Sequence, residues 1–221
     1  LRTSLRGSIL QALILNRRIS QNDSLRLFEI GRVYLAKYDD KERNLPDENE
    51  MLIGALSGHR FPTSLLAPQH HMGFSDAKGI LESLFGQIGA DIEYEPSNDP
   101  ILHPGKTARL AFGEQKVGVV GEIHPRVLKR FGFEHGPVAM FEIALEALYE
   151  SLPESRSRYM SASRFPESDR DLALIVDTSI PSARIQAIIQ SHRLVKHSSP
   201  FDLYVGKGIP ASKKSIAYRV V

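Results

Sequence analysis

A chain of 221 residues, 42% hydrophobic and 24% charged, holds enough apolar material for one large domain or two small ones with a real core. No apolar run is long enough to form a membrane-crossing helix, and the first residues lack the charged-then-apolar layout of a secretory signal. Cysteine is absent, which excludes disulfides and thiolate chemistry and fits a reducing cytosol. The net charge of +2 conceals an asymmetry. Residues 156–221 carry 11 Lys/Arg against 5 Asp/Glu, whereas residues 1–155 carry 17 against 21. A basic segment joined to a mildly acidic one points to a polyanion as partner of the last third.

In chain order, Thr3 or Ser4 is positioned to cap a first helix with Leu5, Ile9, Leu10, Leu13 and Ile14 on one side. LRLFEIGRVYLAKY reads as a strand-rich stretch, with Gly31 a bulge or a point of close approach. Residues 39–50 read as a charged loop, MLIGALSG as a buried strand, and residues 59–72 as a long irregular connection. Ser75 is expected to open a helix carrying Ala77, Ile80, Leu81, Leu84, Phe85 and Ile88 at helical spacing, with Gly89 closing it. TARLAFG and KVGVVGEI form a hairpin around Gly113 and Glu114, Pro125 begins a short helix, and PVAMFEIAL is a further strand. Antiparallel strands with helices between them define an α+β class.

The Ser/Glu/Arg-rich stretch YESLPESRSRYMSAS is the expected boundary, giving one domain over 1–155 and another over 156–221. Past it come a strand (171–176), a helix (181–192), a strand (201–205), a turn (206–212) and a strand (215–221). That is β-α-β-β, the first two thirds of a ferredoxin-like unit. The absent closing helix and strand, and the absent initial Met, are what a piece of a longer protein is expected to show. A sheet so shortened should expose apolar surface and an unpaired edge. His70, His71, His103 and His124 show no HxxxH or HExxH spacing, and the last two precede prolines, as turn residues do. No metal ligands are therefore expected among them, and no Ser/His/Asp grouping stands out.

RFPESDRDLALIVD followed by FDLYVGKGIPASKKSIAYR resembles the ferredoxin-fold anticodon-binding domain. Upstream, LRTSL, LFEIGRVY, LHPGKTARL, GVVGEIHPRV and FEIALEAL stand in the order found in the bacterial phenylalanyl-tRNA synthetase β chain family. The resemblance covers nearly the whole chain. It implies a class-II-synthetase-like noncatalytic core with an antiparallel sheet over 1–155, then an incomplete anticodon-binding module over 156–221. It implies a cytoplasmic α2β2 enzyme joining phenylalanine to tRNA(Phe), with the active site in the α chain and no membrane partner. ATP and Mg2+ would serve the intact enzyme, with no cofactor in this fragment; the editing and magnesium-binding parts would lie upstream. One departure is LRTSLRGSIL, where the family has an apolar residue and a proline near Arg6 to Ser8.

A class II site needs a strand arginine for the ATP α-phosphate and a glycine-rich strand running into an arginine-bearing helix. LFEIGRVY offers Glu29 and Arg32, but GVVGEIHP is followed only by a short helix with Arg126 and Arg130. No ATP site or catalytic residue is therefore expected, and Glu29 with Arg32 reads as a structural pair at a subunit face. The RNA contacts are expected in the tail. Lys207, Lys213 and Lys214 flank the turn between the second and third strands, while Arg164, Arg170 and Arg219 lie on or beside strands. Tyr204 or Tyr218 could stack on an unpaired base. Arg170, between Asp169 and Asp171, could equally hold a local ion pair, and Phe165, Leu172, Leu174, Phe201, Ile216 and Tyr218 are expected to include core residues. The alternative is a noncatalytic RNA-binding paralogue, or a scaffold, that acts without an α chain.

Overall fold

A computed structural model describes residues 1–19, 24–36, 45–61, 70–152 and 167–221. Its contacts divide the chain into two compact units, Leu1–Arg158 and Tyr159–Val221. Arg164, Phe165 and most of the expected boundary stretch lie outside the described residues.

The larger unit is built on six antiparallel strands in the order β1-β2-β6-β5-β4-β3. In sequence these are β1 (Leu25–Leu35), β2 (Asp47–Ser57), β3 (Glu93–Pro96), β4 (Leu102–Phe112), β5 (Gln115–Ile123) and β6 (Val138–Ala144). Helices α1 (Arg6–Ile19) and α3 (Pro125–Arg130) join the core on one face, and α2 (Phe74–Ile88) and α4 (Leu145–Glu150) the core on the other. Two covered faces explain why the central strands are almost continuously apolar. In β2, Ile53 and Ala55 pack toward α1 while Leu56 packs toward α2.

Helix α1 begins where the Ser4 hydroxyl accepts the Arg6 N–H at 3.1 Å, and its stripe of Ile9, Leu10, Leu13 and Ile14 is buried. Helix α2 starts one residue earlier than expected, at Phe74. The Asp76 carboxylate, not Ser75, accepts the Gly73 N–H at 2.9 Å. Gly89 closes α2 at φ +74°. The charged residues 47–50 are strand, not loop, because they pair with the far half of β1, Leu35 against Asp47. Strand β1 runs without a bulge through Gly31. The glycine is there for close approach: a Cβ would sit 2.3 Å from the Arg2 guanidinium.

The smaller unit has strands β7 (Arg170–Asp177), β8 (Ser198–Tyr204) and β9 (Lys213–Val220) in the order β7-β9-β8, with α5 (Ser182–Gln190) on one face. Its core is Ile185, Ile216 and Tyr218, joined by Leu174, Val176, Ile189 and Val220. Tyr218 is fully buried and its hydroxyl donates to the Ser182 carbonyl at 3.0 Å. It is a core residue, unable to stack on a base. Leu172 and Phe201, by contrast, are exposed, as are Ile188 and Leu203, so the unit does present apolar surface.

Candidate nucleic-acid interface and the cavity of the larger unit

The larger unit contains a cavity of about 590 Å³ beside the corner where β6 runs into α4. Here β6 runs straight into a six-residue helix, as β5 does through the single cap residue His124, and FEIALEAL brings no arginine to this corner. Among the described residues the cavity lining includes Glu50, Glu142, Glu146 and Glu150, with Arg6 as the one cation. That cation is committed. Arg6 Nε donates to Glu142 at 2.7 Å, and Nη1 donates to both carboxylate oxygens of Asp99 at 3.0 and 2.8 Å. Burial works against the Arg6 charge, but Glu142 and Asp99 outweigh it and raise its pKa above the ordinary arginine value.

Glu29 and Arg32 do not pair with each other. Three residues apart on a strand they point to opposite faces; Glu29 accepts from Arg2 at 2.6 Å and Arg32 donates to Glu48 at 3.1 Å. Among the described residues, a triphosphate placed in this cavity would meet carboxylates and no uncommitted guanidinium. A phosphate charge ~5 Å from one such carboxylate is opposed by roughly 3 kcal/mol at an effective dielectric of about 20.

The histidines take structural positions. Nδ1 of His103 accepts the Gly105 N–H, and Nδ1 of His124 accepts the Arg126 N–H, each at 3.1 Å; the latter caps α3. His59 and His71 form an isolated bridge with ring centroids 4.4 Å apart. Among the described residues no three His, Cys, Asp or Glu side chains gather as a metal set.

In the smaller unit the register sorts the expected RNA contacts by face. Leu174 pairs with Ile216 and Val176 with Lys214, which places Lys214 on the face covered by α5. Its ammonium donates to the Thr178 carbonyl at 3.0 Å. Arg170 shares that parity, and its guanidinium donates to the Asp169 carbonyl at 2.9 Å. Lys213 and Arg219 instead belong to the open face, with Ser215 and Ala217 between them. Tyr204, opposite Ser215, is on the same face and 46% exposed, and its hydroxyl donates to the Lys207 carbonyl in the following turn. The Lys207 and Lys213 ammonium groups have no carboxylate partner among the described residues.

Arg219 is held differently. Asp171, directly opposite on β7, accepts from its Nε at 3.0 Å and from Nη2 at 3.2 Å. The guanidinium carbon stands 5.2 Å from the centroid of the Phe201 ring, itself 53% exposed. Hydrogen bonding to Arg219 lowers the Asp171 pKa, and the same contact raises that of Arg219. Asp171 and Phe201 escaped the sequence reading because the first requires a strand register and the second was expected in the core. Alternation alone could have separated Lys213 from Lys214: Lys214 keeps step with Ile216 and Tyr218, whereas Lys213 keeps step with Arg219.

Comparison with known proteins gives two family matches. Residues 1–145 match the phenylalanyl tRNA synthetase beta chain CLM domain, and residues 163–221 match the ferredoxin-fold anticodon binding domain. The phenylalanine–tRNA ligase beta subunit of Dehalococcoides mccartyi is 39% identical over all of this chain and 26% of that protein. The corresponding subunit of Geobacillus kaustophilus is 40% identical over 99% of this chain and 27% of its own length. The chain thus spans about a quarter of the curated relatives it matches. Among solved structures, a pyrrolysyl tRNA synthetase from Desulfitobacterium hafniense overlaps 67% of this chain and 49% of its own, with TM-score 0.50 and 17% identity. That likeness is one of fold, and it gives the antiparallel sheet a class-II-synthetase-like character.

Proposed function

Because the chain belongs to the phenylalanyl-tRNA synthetase beta chain family, we propose that it is part of the beta subunit of a phenylalanine–tRNA ligase and serves aminoacylation by holding tRNA(Phe). The reaction itself falls to an alpha subunit, against which the larger unit packs in a cytoplasmic α2β2 assembly. ATP and Mg2+ are required by that intact enzyme and not by these residues. The smaller unit takes the anticodon stem-loop on its open sheet face, with Lys207 and Lys213 meeting phosphates and Tyr204 meeting a base. Lys214 and Arg170, turned to the other face, contribute less; Arg164 is retained as a contact on the strength of its sequence position.

The observation that carries this reading is the pair of uncommitted ammonium groups, Lys207 and Lys213, beside the exposed Tyr204 ring. Each lysine that meets a phosphate releases a counterion, so the logarithm of affinity falls with the logarithm of salt by roughly 0.7–0.9 per contact. Lys207→Ala with Lys213→Ala is therefore expected to flatten the salt slope for tRNA(Phe) by about 1.5. An unchanged slope would remove both lysines from the interface. Co-purification with an alpha subunit separates the ligase reading from an RNA-binding paralogue that acts alone.

A further inference from the structure

The charged groups on and beside the open face of the smaller unit differ in what holds them. Lys207 and Lys213 are uncommitted, whereas Arg219 is fixed from two sides. Asp171 takes the edge of its guanidinium through Nε and Nη2, and the guanidinium carbon stands over the Phe201 ring. An arginine that serves phosphates keeps its N–H fork free and its charge uncompensated. Here the fork is occupied and the charge is matched by a carboxylate in the neighbouring strand. What remains available is the half-exposed guanidinium with the half-exposed phenyl ring beside it. On the same strand toward the Tyr204 end stand the small side chains Ala217 and Ser215, with Asp202 and Ile175 opposite them on the flanking strands. Such a surface suits the face of an aromatic ring better than a phosphate oxygen.

Resting on the anticodon-loop reading above, we infer that Phe201 and Arg219, clamped by Asp171, form a stacking shelf for one unpaired base of the tRNA, with phosphate contacts left to Lys207 and Lys213. Arg219 is then a base-face residue and Asp171 a positioning residue that acts through it. The arrangement also separates two quantities that a basic patch would confound. Loss of the shelf lowers affinity without touching counterion release, whereas loss of a lysine lowers affinity and flattens the salt slope together.

The test is binding of the full chain to an unmodified tRNA(Phe) transcript across a salt series. Arg219→Ala and Phe201→Ala should each weaken binding roughly ten-fold with the slope unchanged, and the double variant should be little weaker than either alone. Phe201→Tyr should restore binding, whereas Arg219→Lys should not, since an ammonium offers no plane. Asp171→Asn should lower affinity and steepen the slope, because an uncompensated guanidinium then faces the RNA. Among transcripts lacking one anticodon-loop base at a time, one should bind equally well with or without the Phe201 ring. The inference is overturned if Arg219→Ala flattens the slope by about 0.7 or more, if affinity is unchanged, or if every abasic transcript still responds to Phe201→Ala. In any of these cases a slope flattened by Lys207→Ala with Lys213→Ala leaves the broader tRNA-holding reading standing; loss of both effects removes the two together.

Discussion

Replacing Arg6 with methionine keeps most of the apolar stem but leaves Asp99 and Glu142 facing each other without the cation that joins them. Their side chains are 11% and 13% exposed, and Arg6 itself 21%, so water can only partly take over its role. Removing one partner of a buried ion pair costs about 3–5 kcal/mol. Because Arg6 keeps some solvent contact, the lower end, about 3 kcal/mol, is expected. For a domain of this size a loss of 1 kcal/mol lowers Tm by about 2–4 °C, so the larger unit should melt roughly 6–12 °C lower. Calorimetry supplies the measurement, with hydrogen exchange in β2, β5 and β6 assigning the transition to the larger unit. A second arm isolates the electrostatic cause: combining Arg6→Met with Asp99→Asn and Glu142→Gln removes the stranded charges and should recover most of the loss. Arg6→Met costing under about 1 kcal/mol, or a triple variant as unstable as the single one, would refute the reasoning.

The glycines of the larger unit should divide by what surrounds them. A Cβ on Gly118 would lie 2.3 Å from the Glu142 carbonyl, which is backbone and cannot yield, so Gly118→Ala should cost about 2 kcal/mol or more in urea unfolding. Gly79, inside α2 with nothing within 4 Å, should gain about 0.5–1 kcal/mol on becoming alanine; the opposite ranking would contradict the packing described. At Asp76 burial pushes the carboxyl up, but hydrogen bonds from Arg60 and the Gly73 N–H, with the Arg60 charge, outweigh it and hold the folded pKa below the ordinary value. Its contribution is therefore complete above the unfolded pKa and lost as pH falls through the lowered folded one. The stability gap between wild type and Arg60→Ala should narrow from about pH 5 toward 2, and a pH-independent gap would exclude this linkage. Tyr218→Phe should cost about 1 kcal/mol through the lost Ser182 bond while changing tRNA affinity less than two-fold; a large affinity loss would put Tyr218 at the interface after all.

Elements whose residues carry their own pattern were legible without coordinates. The apolar runs MLIGALS, VGVVG and VAMFEI became the central strands, and α2 ended at Gly89 as its left-handed cap required. Elements defined by a neighbour were not. Strand β3 is four residues with no alternation to speak of, and it is a strand only because Tyr94 pairs with Leu110. Helix α4 spans six residues, too few for a helical period, so LEALYE read as the end of a strand and the start of a linker. The same limit concealed the clamp on Arg219, whose partner Asp171 is 48 residues away and is selected by strand register alone.

Charge in this chain is better read by partnership than by count. The larger unit carries 17 Lys/Arg up to residue 155, yet Arg6, which lines its cavity, and Arg2 and Arg32 each meet a carboxylate within 3.1 Å. Such cations stabilise the fold or one another's neighbours and have little left for a triphosphate. In the smaller unit Lys207 and Lys213 meet no carboxylate among the described residues, and the one arginine beside them is neutralised edge-on and open on its face. On the proposed reading, a net positive segment offers two kinds of contact, ammonium groups suited to phosphate and a held guanidinium suited to a base. The class-II-like corner at β6 and α4 shows the same logic reversed. Among the described residues this corner turns four glutamates and one committed arginine toward its cavity, an arrangement that opposes a triphosphate.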